Sequence, residues 1–323
     1  MAIRCVFRAA MMALALLAAG ASQGQAYPAK PVTIVVPFPP GGATDVIARM
    51  LAQHLQESTK QPFVVSNVAG ASGSIGHEQV ARAAPDGYTL VIGTASTIAG
   101  NPAYNVTKWD PIKDFTPVAL LTTESMSVIV HPSVPANSVK ELIALAKSKP
   151  GSLNMASFGA GSISHLAGEL FKVTAGVDMT HVPFQGSGPA LTAMIGGHVQ
   201  VMFHTLSVSL PPVQSGKLKM LAITDTQRKP QLPEMPTVAE SGLPGYTAIT
   251  WLGLFGPANL PKDVVAFLSR EAARMLNNPE NREKLLKISS EPADGSPDTL
   301  ARVLARDLEK WRRTIKDAGI KRE

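Results

Sequence analysis

The chain has 323 residues, which at about 150 residues per domain points to two domains. Apolar residues make up 45% and charged residues 17%, enough for a sizeable core and incompatible with a disordered chain. Aromatic residues are only 5%, too few for a base-stacking platform, and the net charge of +6 is scattered, so no nucleic-acid partner is expected.

Arg4 and Arg8 precede or flank an apolar run from Ala9 to Ala19, no acidic residue occurs before Asp45, and Gly24-Gln25-Ala26 offers small residues at a cleavage site. This is the pattern of a secretory signal peptide over residues 1–26. The apolar run is shorter than the roughly 20 residues that a membrane span needs. Cys5 is the only cysteine and lies inside this segment. The mature chain therefore has no disulfide, thiol nucleophile or cysteine metal ligand, and no cysteine for a lipid anchor. An exported periplasmic protein is expected, not lipid-anchored and acting as a monomer.

Val32 to Val36 reads as a strand, Thr44 to Leu55 as a helix with Ile47, Leu51 and Leu55 on one face, and Phe63 to Val65 as a second strand. Ile75 to Ala84 is a helix closed by the turn Pro85-Asp86-Gly87, and Leu90 to Gly93 a third strand. This βαβαβ order predicts a parallel sheet with helices on both faces. Val118 to Leu121 and Ser127 to Val130 are further apolar runs, after which the alternation restarts. Ser138 with Glu141 forms a capping box for a helix ending at Lys147. Leu153–Ser157, Met179–Phe184, Val199–Phe203 and Leu218–Thr224 read as strands, separated by helices over Ser164–Thr174 and Pro189–Ile195. A proline-rich stretch from Gln227 to Gly245 predicts an irregular crossing before a last strand, Trp251–Phe255. Leu300, Leu304, Leu308, Trp311 and Ile315 form one apolar stripe on a C-terminal helix and are expected in the core. Two α/β units imply two lobes, and ligands of such sheets bind beyond the carboxyl ends of the strands.

Two strand-to-helix loops carry the chemistry. Pro37-Phe38-Pro39-Pro40-Gly41-Gly42-Ala43-Thr44-Asp45 is stiffened by prolines, and its glycines let backbone approach a ligand. Unpaired N–H groups at the following helix start favour an anionic oxygen, although a plain tight turn has the same residue types. Phe158-Gly159-Ala160-Gly161-Ser162-Ile163-Ser164-His165 repeats the arrangement in the other unit, with Ser162 and Ser164 adding hydroxyls. Ser164 stands where a dinucleotide fingerprint needs glycine, so no nucleotide cofactor is expected. His165 either faces the ligand or caps the helix structurally. Asn67 to Gly76, with Ser72, and Gly93-Thr94-Ala95-Ser96 follow strands too, as further cleft walls or as surface loops. Neither principal loop contains Lys or Arg, so an anion there would be held by amides, hydroxyls and helix dipoles.

Enzyme signatures are poor. No G-x-S-x-G occurs, and His77-Glu78 lacks the second histidine of a zinc protease. His165 and Glu169, four apart on a helix, are too few for a metal site, and neither metal nor cofactor is expected.

At these residues the sequence resembles the Bug family, the extracytoplasmic substrate receptors of tripartite tricarboxylate transporters. The resemblance runs over nearly the whole mature chain. It includes Val35-Val36-Pro37-Phe38-Pro39-Pro40-Gly41-Gly42-Ala43-Thr44-Asp45, Ala84-Pro85-Asp86-Gly87-Tyr88-Thr89-Leu90 and Asp110-Pro111-Ile112-Lys113-Asp114-Phe115. It continues through His165-Leu166-Ala167-Gly168-Glu169-Leu170-Phe171, His181-Val182-Pro183-Phe184, Pro236-Thr237-Val238-Ala239-Glu240-Ser241-Gly242 and Ala318-Gly319-Ile320. It implies a type II periplasmic binding protein of two α/β domains, with a ligand cleft between them and two chain crossings. Domain 1 would hold residues 27–127 plus 248–323, and domain 2 residues 128–247.

The function so implied is capture of a small carboxylate for integral membrane transporter subunits, without catalysis. The two loops match the family's pincer, in which backbone amides grip one carboxylate. The implied ligand-binding set is Phe38, Pro39, Gly41, Gly42, Thr44, Asp45, Ser72, Thr94, Ser96, Phe158, Gly159, Gly161, Ser162, Ser164, His165 and His204. Three of these depart from the usual pattern. Phe158 stands where members often have a small residue, His204 where they often have aspartate, and Ser164 near a common proline. A cleft-facing His204 would change charge within the usual histidine range. The competing readings are a ligand sensor for a two-component system and a secreted serine hydrolase using Ser162 or Ser164 with His165.

Overall fold

The computed structural model describes residues 27–320, so the segment read as a signal peptide lies outside the described residues. Three parallel strands begin the chain: β1 (Val32–Val36) at the centre, flanked by β2 (Phe63–Asn67) and β3 (Thr89–Thr94). The helix α1 (Ala43–Thr59) returns from β1, with Ile47, Leu51 and Leu55 fully buried on its predicted face. It runs one turn further than the apolar stripe suggested and stops at Lys60, which takes the left-handed conformation (φ 60°). The next helix, α2 (Ser74–Ala81), ends short of the predicted Ala84. Ala84 precedes Pro85, and a residue before proline is pushed out of the helical region. A π-helical turn over Ala95–Gly100 leads into the short α3 (Asn101–Tyr104).

The two apolar runs, Val118–Leu121 and Ser127–Val130, belong to one 16-residue strand, β4 (Phe115–Val130). Its first part pairs antiparallel with β9 (Ile249–Pro257), which also borders β3. Its last part, from Met126, pairs with β7 (Val201–Thr205) and β8 (Lys219–Ile223) in the second sheet. That sheet is completed by β5 (Asn154–Ser157) beside β7 and β6 (Thr180–Pro183) at the edge, both parallel to their neighbours. The helices of this unit are α4 (Val139–Ser148), α5 (Ile163–Ala175), α6 (Ser187–Ile195) and α7 (Leu206–Gln214). The Ser138 cap is present, its side chain accepting the Glu141 N–H. Helix α7 was not expected, because Pro211 and Pro212 lie inside it. Tertiary bonds override the propensity: Ser207 N–H donates to Glu124, and Ser209 Oγ lies 2.7 Å from Ser127 Oγ.

The chain thus crosses between two α/β domains twice, and the crossings are laced together. Thr224 N–H donates to Met126 O at 2.9 Å and Ala248 N–H to Thr224 O at 2.9 Å. The Thr224 hydroxyl accepts Met126 N–H at 3.1 Å and donates to Ala248 O at 2.5 Å. After β9 come α8 (Lys262–Asn277), α9 (Pro279–Lys287), the short strand β10 (Glu291–Pro292) and α10 (Pro297–Asp317). The predicted stripe of α10 is buried, from Leu300 to Ile315, and Trp251 Nε1–H donates to Asp307 Oδ2 at 2.8 Å on the same helix. One apolar cluster joins this stripe to Ile98 and Ala103 of the first unit and to Leu166, Phe171 and Phe203 of the second.

Candidate ligand-binding site

A cavity of about 540 Å³ opens where the carboxyl ends of the strands of both units meet. Its walls include four strand-to-helix loops, reached from β1, β2, β3 and β5. This is the place where ligand sites form in such sheets, because helix starts converge there.

The first loop presents Phe38, Pro39, Gly42 and Thr44 to the cavity. Gly42 is the N-cap of α1 and no side chain caps it. Among the described residues, the N–H groups of Gly42, Ala43 and Thr44 have no acceptor. They form a donor set with the positive end of the helix dipole behind it. Gly41 and Asp45, also predicted as ligand contacts, do not line the cavity. Asp45 is buried behind the loop, where its carboxylate accepts Gly41 N–H (3.1 Å), Arg49 Nε–H (2.9 Å) and Asn67 Nδ2–H (2.9 Å). The Arg49 hydrogen bond, with those of Asn67 and Gly41, overcomes burial and holds the carboxyl down at about 2. Asn67 Nδ2–H also donates to Phe38 O, so one carboxylate and one amide peg the loop at two points.

The second loop presents Phe158, Gly159, Gly161 and Ser162. Gly159 (φ 131°) and Gly161 (φ 73°) take conformations that side chains disfavour, which is why the loop is glycine-rich. Ser162 caps α5 by accepting His165 N–H and donates its hydroxyl to Gly159 O at 2.7 Å. Here too a predicted contact turns out to be a peg. His165 is buried, and its Nδ1 accepts Gly161 N–H at 3.1 Å, the same four-residue reach by which Asp45 holds Gly41. Its ring stacks on His181 at 3.8 Å, and His181 Nε2 lies 2.7 Å from Ser157 Oγ at the loop's start. Burial, aided by the nearby His181 and Lys172, drives His165 down to about 3.

Ser164 and His204 are likewise behind the wall rather than in it. Ser164 is fully buried and donates to Phe203 O at 2.5 Å. His204 is fully buried on β7, with Nε2 2.9 Å from Ser187 Oγ and its ring edge-on to Phe158 at 4.7 Å. Burial pushes it down to about 4, which replaces the expectation of a cleft histidine titrating in its usual range. Its work is to seat Ser187 and Phe158, both of which line the cavity. The hydroxyls proposed for a hydrolase have no histidine base: His165 Nδ1 is taken by Gly161, and Ser162 and Ser164 both donate to carbonyls.

Ser72, Thr94 and Ser96 line the cavity. Ser72 follows Ala71 in a left-handed pair (φ 46° and 52°), strain that Asn101 helps hold by donating to Ser72 O and Ser74 Oγ. The sequence reading missed Asn101, Glu124, Ser187, Thr205, Ser207 and Thr250. Glu124 is the one ionisable side chain among the described residues that line the cavity. A signal for it existed: Thr122-Thr123-Glu124-Ser125 is a polar interruption in apolar sequence, and it proved to be strand facing the cleft.

The profile of the tripartite tricarboxylate transporter family receptor matches residues 47–320. The chain belongs to that receptor family. Among curated relatives, Protein BugT of Bordetella pertussis is 33% identical over 297 residues, covering 91% of this chain and 91% of that one. A Rhodopseudomonas palustris structure with adipate is 38% identical at a TM-score of 0.81, covering 91% of this chain and 99% of that chain. MatC from the same organism, with bound malate, is 34% identical at a TM-score of 0.78, covering 90% and 100%. As a member of this family the chain is a two-domain, solute-binding receptor of the periplasmic type. No helix among the described residues is long and apolar enough to cross a membrane.

Proposed function

We propose that this receptor captures a small carboxylate in the periplasm and presents it to the membrane subunits of a tripartite transporter, with no chemistry of its own. The observation that carries the reading is the unbonded N–H set of Gly42, Ala43 and Thr44, turned into a cavity that has no Lys or Arg on its wall. Such donors hold an anionic oxygen without a cationic side chain, each charge-assisted bond contributing roughly 1.5–3 kcal/mol. Phe38, Pro39, Gly42, Thr44, Ser72, Thr94, Ser96, Phe158, Gly159, Gly161 and Ser162 are the proposed contacts. Gly41, Asp45, Ser164, His165 and His204 position them. The relatives with adipate and malate bound support a carboxylate as the ligand class.

The switch of β4's partners between Ser125 and Met126 supports domains near 27–127 plus 248–323 and 128–247, closing on each other about the Thr224 crossing. The test is a thermal-shift screen of small carboxylates. At a hundredfold excess over Kd, a true ligand stabilises by about 2.7 kcal/mol, and its methyl ester or amide does not. Turnover of an ester or amide in place of binding would overturn the reading.

A further inference from the structure

Glu124 sits on β4, next to the crossing between the domains and paired with Thr250 of β9. It is about nine-tenths buried and lines the cavity. One carboxylate oxygen, Oε1, accepts the N–H of Ser207 in the first turn of α7 at 2.9 Å. At the start of α7 the Ser207 N–H is thereby answered by a carboxylate from another strand, whereas at the start of α1 Asp45 takes the Gly41 N–H and leaves those of Gly42, Ala43 and Thr44 without an acceptor among the described residues. Among the described residues, no basic side chain pairs with Glu124. Burial pushes its carboxyl up, and hydrogen bonds from the Ser207 hydroxyl and N–H pull the other way. Both of these bonds come from Ser207, and a carboxylate has about four lone-pair sites, so acceptor capacity remains for whatever the cavity holds. The cavity is therefore polarised: free backbone donors where α1 begins, and an acceptor with negative charge at the crossing. Leu252, Val208, Phe158 and Phe38 add apolar surface to the cavity's lining.

We infer that Glu124 selects the ligand's far end, so that the receptor takes an amino carboxylate, with a cationic nitrogen against Glu124, in preference to a dicarboxylate. This rests on the carboxylate reading above and narrows it. A second carboxylate would meet a like charge in a desolvated place, whereas an ammonium group supplies the missing partner. The methylene chain between the two ends suits the apolar wall.

The test is calorimetric titration of the full mature protein with pairs matched in length. These are glycine against malonate, β-alanine against succinate, γ-aminobutyrate against glutarate, δ-aminovalerate against adipate, and ε-aminocaproate against pimelate. In at least one pair the amino carboxylate is expected to bind about tenfold or more tightly than the dicarboxylate. In Glu124→Gln that preference should shrink at least about tenfold, with the melt showing a folded protein. A wild type in which every dicarboxylate equals or outbinds its amino partner overturns the inference, with or without the variant. So does a folded Glu124→Gln that keeps the wild-type preference. If no carboxylate of any kind binds, the carboxylate reading itself has failed and this one falls with it.

Discussion

The Oγ of Ser96, in the turn after β3, accepts the N–H of Ile163, the first residue of α5, at 3.1 Å. The two residues belong to different units, and both line the cavity. The contact is reinforced nearby: Tyr104 meets His165 edge-on at 5.6 Å, and a Cβ on Gly100 would come within 2.7 Å of Gly161 O. The backbone of the second loop is thus seated on the first unit itself. Ser96→Ala removes this acceptor and leaves the Ile163 donor unpaired. The expected result is weaker carboxylate binding by about two- to tenfold, mostly through faster release, because one neutral hydrogen bond is lost. Stopped-flow dissociation checks it, and an unchanged off-rate in Ser96→Ala would refute the bridging role.

Gly42 offers the cleanest block of the site. Its φ is −81°, and a Cβ there meets nothing within 4 Å, so valine fits the empty fold without strain. The side chain would project where donors of the first loop meet a ligand. Gly42→Val should keep its melting temperature and lose at least about 100-fold in affinity, roughly 2.7 kcal/mol. Gly161→Val is a different experiment. Its φ of 73° is unfavourable for valine, and the new Cβ would sit 3.0 Å from that of Tyr104. A stability loss of roughly 1–3 kcal/mol should accompany any binding defect there. Circular dichroism melts beside calorimetry separate the two outcomes.

Both loops were legible because their composition is dictated locally: proline and glycine after an apolar strand, then a helix start. The side of each helix facing the cleft was not. Asp45 and His165 sit in the first turns of their helices, and sequence alone does not say whether such a residue turns toward ligand or back under its own loop. His204 was misplaced for a related reason. The strand pleat puts it on the face covered by Ser187 and Phe158, a register set by pairing with Ser127 of β4. Glu124 escaped because Val118–Leu121 and Ser127–Val130 were read only as separate apolar runs, with nothing assigned to the residues between them. Only the pairing of Thr122–Ser125 with β9 turns that polar interruption into cleft wall.

The peg beneath the first loop gives a third test. Asp45→Ala would free Gly41 N–H, Arg49 and Asn67 Nδ2–H together, although none of these lines the cavity. Binding should weaken by about tenfold and amide exchange over residues 37–45 should quicken, since the loop loses hydrogen bonds to a charged group. Asp45→Asn keeps an acceptor for Gly41 and should recover part of the loss. Full affinity in Asp45→Ala with unchanged exchange would show that the loop holds its shape without the peg.

Acid should unfold the protein through its buried histidines. Burial holds His77, His181 and His204 down at about 4 and His165 at about 3, from an ordinary 6.5. The folded state thus keeps them neutral where the unfolded chain would protonate them. Their contribution is fully present above pH 6.5 and is lost as pH falls toward about 4, because the unfolded state binds more protons across that window. For the fully buried His77 this is worth on the order of 3 kcal/mol. Glu124 and Glu169 act in the opposite sense: burial raises both, so their contribution is present at acid pH and lost as pH rises above 4.5. With four histidines against two carboxyls, the melting temperature should fall steadily as pH drops through this range. His77 isolates the cause. It is fully buried, stacks on Trp109 at 5.1 Å, bonds Gly73 O through Nδ1, and its Nε2 has no partner among the described residues. His77→Phe gives up one hydrogen bond but removes a group that must charge in acid, so its melting temperature should depend less steeply on pH than the wild type's. Parallel slopes for the two proteins would mean that His77 does not contribute to the acid transition.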